Sequence, residues 1–174
     1  MSNSYLEIRI RAAEYCQRHG ITVDTNLSLG FGVHGSVFAC LRATATFKTA
    51  LKIHARERSY LSERDVYFRL RELGIEQIAG HHVPQLIDYD DELLAIEMSI
   101  VVRPFLLDFG GAYLDRPPEY DSEVLEQWET DKQEQFEENW PKASIILAKL
   151  RSLGIYVADV NPGNIGFARN DEKK

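Results

Sequence analysis

The chain has 174 residues, 44% hydrophobic and 27% charged, with a formal net charge of −7. That is enough apolar material for one domain or two small lobes, and it excludes wholesale disorder. No apolar run approaches the roughly 18 residues of a membrane-spanning helix, and the first twenty residues lack the features of a secretory signal. Cys16 and Cys40, the two cysteines, have no metal-ligand spacing, so a reduced, cytoplasmic setting away from membranes is expected. The acidity is local. Residues 115–138 hold ten acids against Arg116 and Lys132, a net −8, and the other 150 residues sum to +1. Without a basic face, no nucleic-acid partner is expected.

In chain order, Tyr5 to His19 has apolar residues at helical spacing (Tyr5, Ile8, Ala12, Tyr15/Cys16) and stops at Gly20. From Asp24 to Ile53 the period becomes strand-like, in three runs: Thr25 to Leu29, Ser36 to Ala43 and Phe47 to Ile53. Arg56 to Leu73 is again helical and ends at Gly74. Pro84 to Asp88 and Leu93 to Met98 are two short strands around the Asp90-Asp91 turn. Beyond Met98 the pattern is mainly helical. After Pro117-Pro118, the residues Tyr120, Val124, Trp128, Phe136 and Trp140 lie at multiples of four along an acidic helix. Pro141 opens a second helix with Ala143, Ile146, Leu147, Leu150 and Leu153 on one stripe. Ile155 to Phe167 reads as a short loop between apolar ends.

Gly30-Phe31-Gly32-Val33-His34-Gly35 has a G-x-G-x-x-G spacing, which is weak evidence alone. A dinucleotide fingerprint would need a helix after the third glycine. Here alternating residues follow, so the glycines belong to a hairpin, whose backbone N–H groups can lie over phosphates. Lys52 stands among apolar neighbours in the middle of the next strand, and a lysine placed there needs a partner. Glu63 shares a helical face with Val66, Tyr67, Leu70 and Leu73 and is the candidate; a purely structural ion pair is the plainer reading of the two.

Together, Gly30, Gly32, Gly35 and Val37, then Lys52, then Glu63, resemble the amino-terminal lobe of the protein-kinase-like superfamily. The resemblance implies that the glycine hairpin covers the phosphates of ATP, that Lys52 contacts them and that Glu63 positions Lys52. It also makes Glu97 and Met98 the strand entering a hinge that takes the adenine. Val157-Ala158-Asp159-Val160-Asn161-Pro162-Gly163-Asn164 is similar to the catalytic loop of the same superfamily. Asp159 would serve the acceptor hydroxyl and Asn164 would hold Mg²⁺. Val157 stands where the superfamily usually has histidine, and Asn161 where protein Ser/Thr kinases have lysine. The Asp159-x-x-Pro162-Gly163-Asn164 form is nearer to aminoglycoside-type and atypical kinases.

The metal-binding D-F-G aspartate should follow Asn164 after a hairpin, yet only ten residues follow. Leu107-Asp108-Phe109-Gly110-Gly111 spells D-F-G upstream instead, where the superfamily's chain order leads away from the phosphates, so Asp108 is expected in a glycine turn. Asp171 and Glu172 are expected to be solvated. His34 is a loop-tip residue, His81-His82 has no further metal ligand at hand, and Trp128 and Trp140 read as core.

The expected fold is α+β and protein-kinase-like. Residues 1–98 would form a small antiparallel-sheet lobe with one main helix, and residues 99–174 a truncated, mainly helical lobe. The expected function is transfer of the γ-phosphoryl of ATP, with Mg²⁺, to a hydroxyl of a protein or small molecule. The alternative is a pseudokinase, a nucleotide-binding or nucleotide-free interaction module lacking the D-F-G aspartate, whose acidic helix is either a solvated face or a surface for a basic partner.

Overall fold

The computed structural model describes residues 3–32, 35–42 and 47–168; His34, Asp171 and Glu172 lie outside them. The first half runs α1 (Asn3–His19), β1 (Ile21–Gly32), β2 (Gly35–Arg42), β3 (Lys48–His54) and α2 (Glu57–Glu72). A small hairpin, β4 (Gln77–Ile78) and β5 (His81–His82), precedes β6 (Leu86–Asp90) and β7 (Ala95–Ser99). The second half runs β8 (Phe105–Leu106), β9 (Ala112–Leu114), α3 (Ser122–Phe136), α4 (Trp140–Ser152), β10 (Ile155–Val157) and β11 (Ile165–Gly166). The architecture is α+β, built around a five-stranded antiparallel sheet in the order β1-β2-β3-β7-β6.

The sheet has two covered faces, and strand alternation assigns each residue to one of them. On one face Leu51 and Ile53 of β3 and Ala95 of β7 meet Ile8, Ala12, Tyr15 and Cys16 of α1. The apolar spacing of α1 therefore docks it on the back of the sheet, and Gly20, at φ +63°, turns the chain into β1. On the other face lie Ala50 and Lys52 of β3 with Ile96 and Met98 of β7, paired as Ala50↔Met98 and Lys52↔Ile96. Here α2 buries Tyr60, Glu63, Val66, Tyr67 and Leu70. This core continues through Phe109 and Ala112 into Ala143, Ile146, Leu147 and Leu150 of α4. Each such fully buried aliphatic or aromatic side chain contributes about 1.5–3 kcal/mol.

The second half is less helical than its sequence suggests. The segment from Ile155 to Phe167, expected as a loop, carries two short strands. β10 pairs antiparallel with β9, with Tyr156 opposite Tyr113. β11 pairs antiparallel with β8, with Ile165 opposite Leu106 and Gly166 opposite Phe105. The β4–β5 hairpin adds to β8 through His82 and Phe105, giving a sheet in the order β11-β8-β5-β4. Strands this short carry almost no periodicity, so nothing in the sequence announces them. The aromatic spacing through Phe136 and Trp140 is also interrupted. A 3₁₀ turn at Glu137–Asn139, with Glu137 at φ +49°, starts a new helix at Trp140. Along α3 only Lys132 and Phe136 are buried, so its acids form a solvated face.

Candidate active site

A cleft of about 440 Å³ lies between the glycine hairpin, the inner face of the sheet, α2 and the strands of the second half. Its roof is Leu29, Gly30, Gly35 and Val37, and its inner wall includes Ala50 and Met98. Ser99, Ile100 and Val101, the segment leaving β7, line the mouth beside Phe105. At the polar end Lys52, Glu63, Asp108 and Asn164 come together.

The local chemistry starts from Lys52. Its Nζ lies 2.6 Å from Glu63 Oε2 and 3.0 Å from Asp108 Oδ1. Burial alone would lower the pKa of Lys52, but the charges of Glu63 and Asp108, with their hydrogen bonds, outweigh it and hold the group above the ordinary lysine value. Lys52 is therefore a fixed cation. Glu63 is itself buried and lies 3.5 Å from His54 Nε2, and His54 stands edge-on to the ring of Tyr60. The Tyr67 hydroxyl donates to Met98 Sδ at 3.3 Å, linking two residues of the cleft lining.

Asp108 corrects the sequence-based expectation. It does sit in a glycine turn, at φ +64°, with the Gly110 N–H donating to its Oδ1 at 3.2 Å. That turn, however, delivers its carboxylate to Lys52 rather than away from it. The chain order proved misleading because β8 and β11 are antiparallel neighbours. The Leu107 N–H donates to the Asn164 carbonyl at 2.8 Å, so residues 57 positions apart arrive at one edge of the cleft. What the sequence could not supply was the pairing of two-residue strands, which sets the position of Asp108.

Asp159 follows β10, is exposed and does not line the cleft. A Cβ placed on Gly111 would stand 3.5 Å from the Cβ of Asp159, so Asp159 lies next to the turn that carries Asp108. The loop between Asp159 and Asn164 is tightly wound. The Gly163 N–H donates to Asn161 Oδ1 and the Asn164 N–H to the Asn161 carbonyl, both at 2.9 Å.

The glycines separate into two kinds. At Gly35, φ +151°, a Cβ would collide with the backbone carbonyl oxygen of Ile53, so the fold itself demands glycine. At Gly30 nothing among the described residues lies within 4 Å of where a Cβ would be. Gly32 pairs with Gly35 across the hairpin. Met98 lines the cleft as expected, but the side chain of its neighbour Glu97 does not. Adjacent strand residues face opposite sides, and the Glu97 carboxylate is buried on the α1 side. There it accepts from Thr49 Oγ1 at 2.7 Å, Tyr15 Oη at 3.2 Å and the Arg42 guanidinium at 2.9 and 2.5 Å.

A scan against protein-family models and a search of curated proteins both find no match for this chain. Among the described residues no cluster of three or more His, Cys, Asp or Glu gathers around a metal position, and no helix is long and apolar enough to cross a membrane. His81 stacks edge-on against Phe167, and both cysteines are free and buried.

Proposed function

We propose that the protein is an ATP-binding, protein-kinase-like phosphotransferase. The observation that carries this reading is the convergence of Lys52, Glu63, Asp108 and Asn164 at one end of an apolar cleft roofed by a glycine hairpin. The cleft volume suits a nucleotide, and its apolar walls with a few polar groups at one end suit a base at the mouth and phosphates within. The space at Gly30 fits the same reading: no described residue comes within 4 Å of a Cβ there, so a ligand lying beneath the hairpin can approach the backbone closely.

Mg²⁺ fits the oxygen donors Asp108 and Asn164, since this ion is typically held by one or two carboxylate-type ligands, phosphates and water rather than by a full protein cage. When bound, it would supply neutralisation of phosphate charge. The remaining chemistry falls to the chain's own groups. Lys52, kept charged and held in place by Glu63, binds and orients phosphate oxygens. Asp159 takes the proton of the acceptor hydroxyl as its oxygen bonds to the γ-phosphorus, and the bond to the β-bridging oxygen breaks to release ADP. The alternative is a pseudokinase, which the absence of a D-F-G aspartate after Asn164 favours; Asp108, 3.0 Å from Lys52 at the polar end of the cleft, supports the phosphotransferase reading.

The test is nucleotide binding and transfer. At 100 times its Kd, Mg·ATP stabilises the native state by about 2.7 kcal/mol, a rise of ~5–10 °C in Tm for a chain of this size. Asp108→Asn should remove the Mg²⁺-dependent part of that rise while leaving Lys52 paired with Glu63. Asp159→Ala should keep the rise and lose phosphate transfer. No response of the intact protein to Mg·ATP would sink the reading.

A further inference from the structure

The loop between Asp159 and Asn164 is held at both ends, and one of the two holds comes from the acidic helix. At the Asn164 end the hold is the backbone bond from Leu107. At the Asp159 end the indole N–H of Trp128, on α3, donates to the Ala158 carbonyl at 2.8 Å. Eight residues further along α3, Phe136 meets the ring of Phe167, just beyond β11, with centroids 6.3 Å apart and planes at 90°. Eight residues of helix span about 12 Å, so α3 bridges the segment 158–167 like a splint. Trp128, Lys132 and Phe136 share one face through their spacing of four, and Trp140 supports both rings, at 6.4 Å from Trp128 and 6.2 Å from Phe136.

We infer that Trp128 is a positioning residue for Asp159, and that α3 serves to hold the loop carrying it. The Ala158 carbonyl and the Asp159 N–H belong to one rigid peptide plane. Fixing the direction of that carbonyl fixes the plane from which the Asp159 Cα departs, and with it the aim of the carboxylate. Indole N–H is a donor only, so its single hydrogen bond is committed to this contact. Asp159 is exposed and its loop has a surface path, so an anchor from outside the loop has a direct effect on its order. This inference rests on the phosphotransferase reading for what the loop does, but not for how the loop is held.

The experiment compares wild type with Trp128→Phe, which keeps an aromatic ring and loses the donor, and with benzothienylalanine at position 128, which replaces the indole N–H by sulfur at nearly the same shape. Exposed Glu126→Gln on the same helix is the control. Two readouts are taken: Mg·ATP turnover with its nucleotide affinity, and hydrogen exchange of the amides of residues 157–164 relative to those of α4. Both position-128 variants should exchange about tenfold faster in the loop with α4 unchanged. Their kcat should fall about five- to tenfold, the worth of one hydrogen bond, with nucleotide affinity kept within twofold. Unchanged loop exchange would overturn the inference, as would equal losses of kcat and nucleotide affinity. If wild type itself shows no turnover, the phosphotransferase reading fails, and the exchange measurement still decides whether Trp128 holds the loop.

Discussion

Glu97 carries a carboxylate on the central part of the sheet with no exposure to solvent, and its satisfaction depends on Arg42, which is itself a quarter exposed. A buried charge that loses its partner is expensive, about 3–5 kcal/mol, because the remaining ion has neither water nor a counter-charge. Arg42→Met should therefore destabilise the protein by roughly that amount in urea denaturation. Glu97→Gln should cost clearly less, since Arg42 can then turn towards solvent, and combining the two should recover part of the loss. The network also lies on the opposite face of the sheet from Lys52, so Glu97→Gln should keep the full Mg·ATP-dependent rise in Tm. That outcome separates it from the cleft residues with which its sequence neighbours group it. A run such as Leu94-Ala95-Ile96-Glu97-Met98 announces a buried strand, but only the pairing of Lys52 with Ile96 and Ala50 with Met98 says which alternate residues face the cleft.

At the scale of elements, α2 is tied to the second half by Arg69. Its guanidinium forks onto Asp115, at 3.0 and 2.7 Å, and donates to the Leu153 carbonyl at 3.0 Å. Arg69 holds the Asp115 carboxyl below the usual carboxylate range. Gly154 sits under this junction at φ +75°, where a Cβ would come within 2.5 Å of Asp115 Oδ1 and 2.9 Å of the Arg69 guanidinium. Gly74 offers a matched comparison, at φ +63° with open space around it. Alanine in left-handed backbone costs about 1–2 kcal/mol at either site. Gly154→Ala should exceed Gly74→Ala, because it also displaces the fork, and the excess should vanish in an Asp115→Ala background. Equal urea midpoints for the two variants would show that the fork adjusts freely. The helices were legible because each carries an apolar stripe and a glycine stop: α1, α2 and α4 lie close to where spacing put them. Lys52 with Glu63 was legible for the same reason, an acid on the buried stripe of α2 opposite a lysine inside a strand. The strands β4, β5 and β8 to β11 were not, since two or three residues are set by their partners rather than by their own pattern.

Over the whole molecule, the order of the segments matters more than the motifs. β8 and the turn carrying Asp108 come first, and β11 joins them 60 residues later. That neighbourhood of Asp108 and Asn164 was invisible until β8 and β11 paired. The pairing supplies its own test. Gly166 stands opposite Phe105 in an antiparallel ladder, the geometry that a turn of two or a few residues joins. A rearranged chain can therefore run from residue 1 to 101, through a flexible Gly/Ser linker to 117–167, then through a short turn into 104–116. The linker adds closure entropy only logarithmically in its length, so the fold should tolerate it. If the cleft needs only the spatial arrangement of Lys52, Glu63, Asp108 and Asn164, the rearranged protein should fold and show the same Mg·ATP-dependent rise in Tm as wild type, and Asp108→Asn should remove the Mg²⁺-dependent part in both. A rearranged protein that folds cooperatively but ignores Mg·ATP, beside a wild type that responds, would mean that the native chain order itself shapes the site.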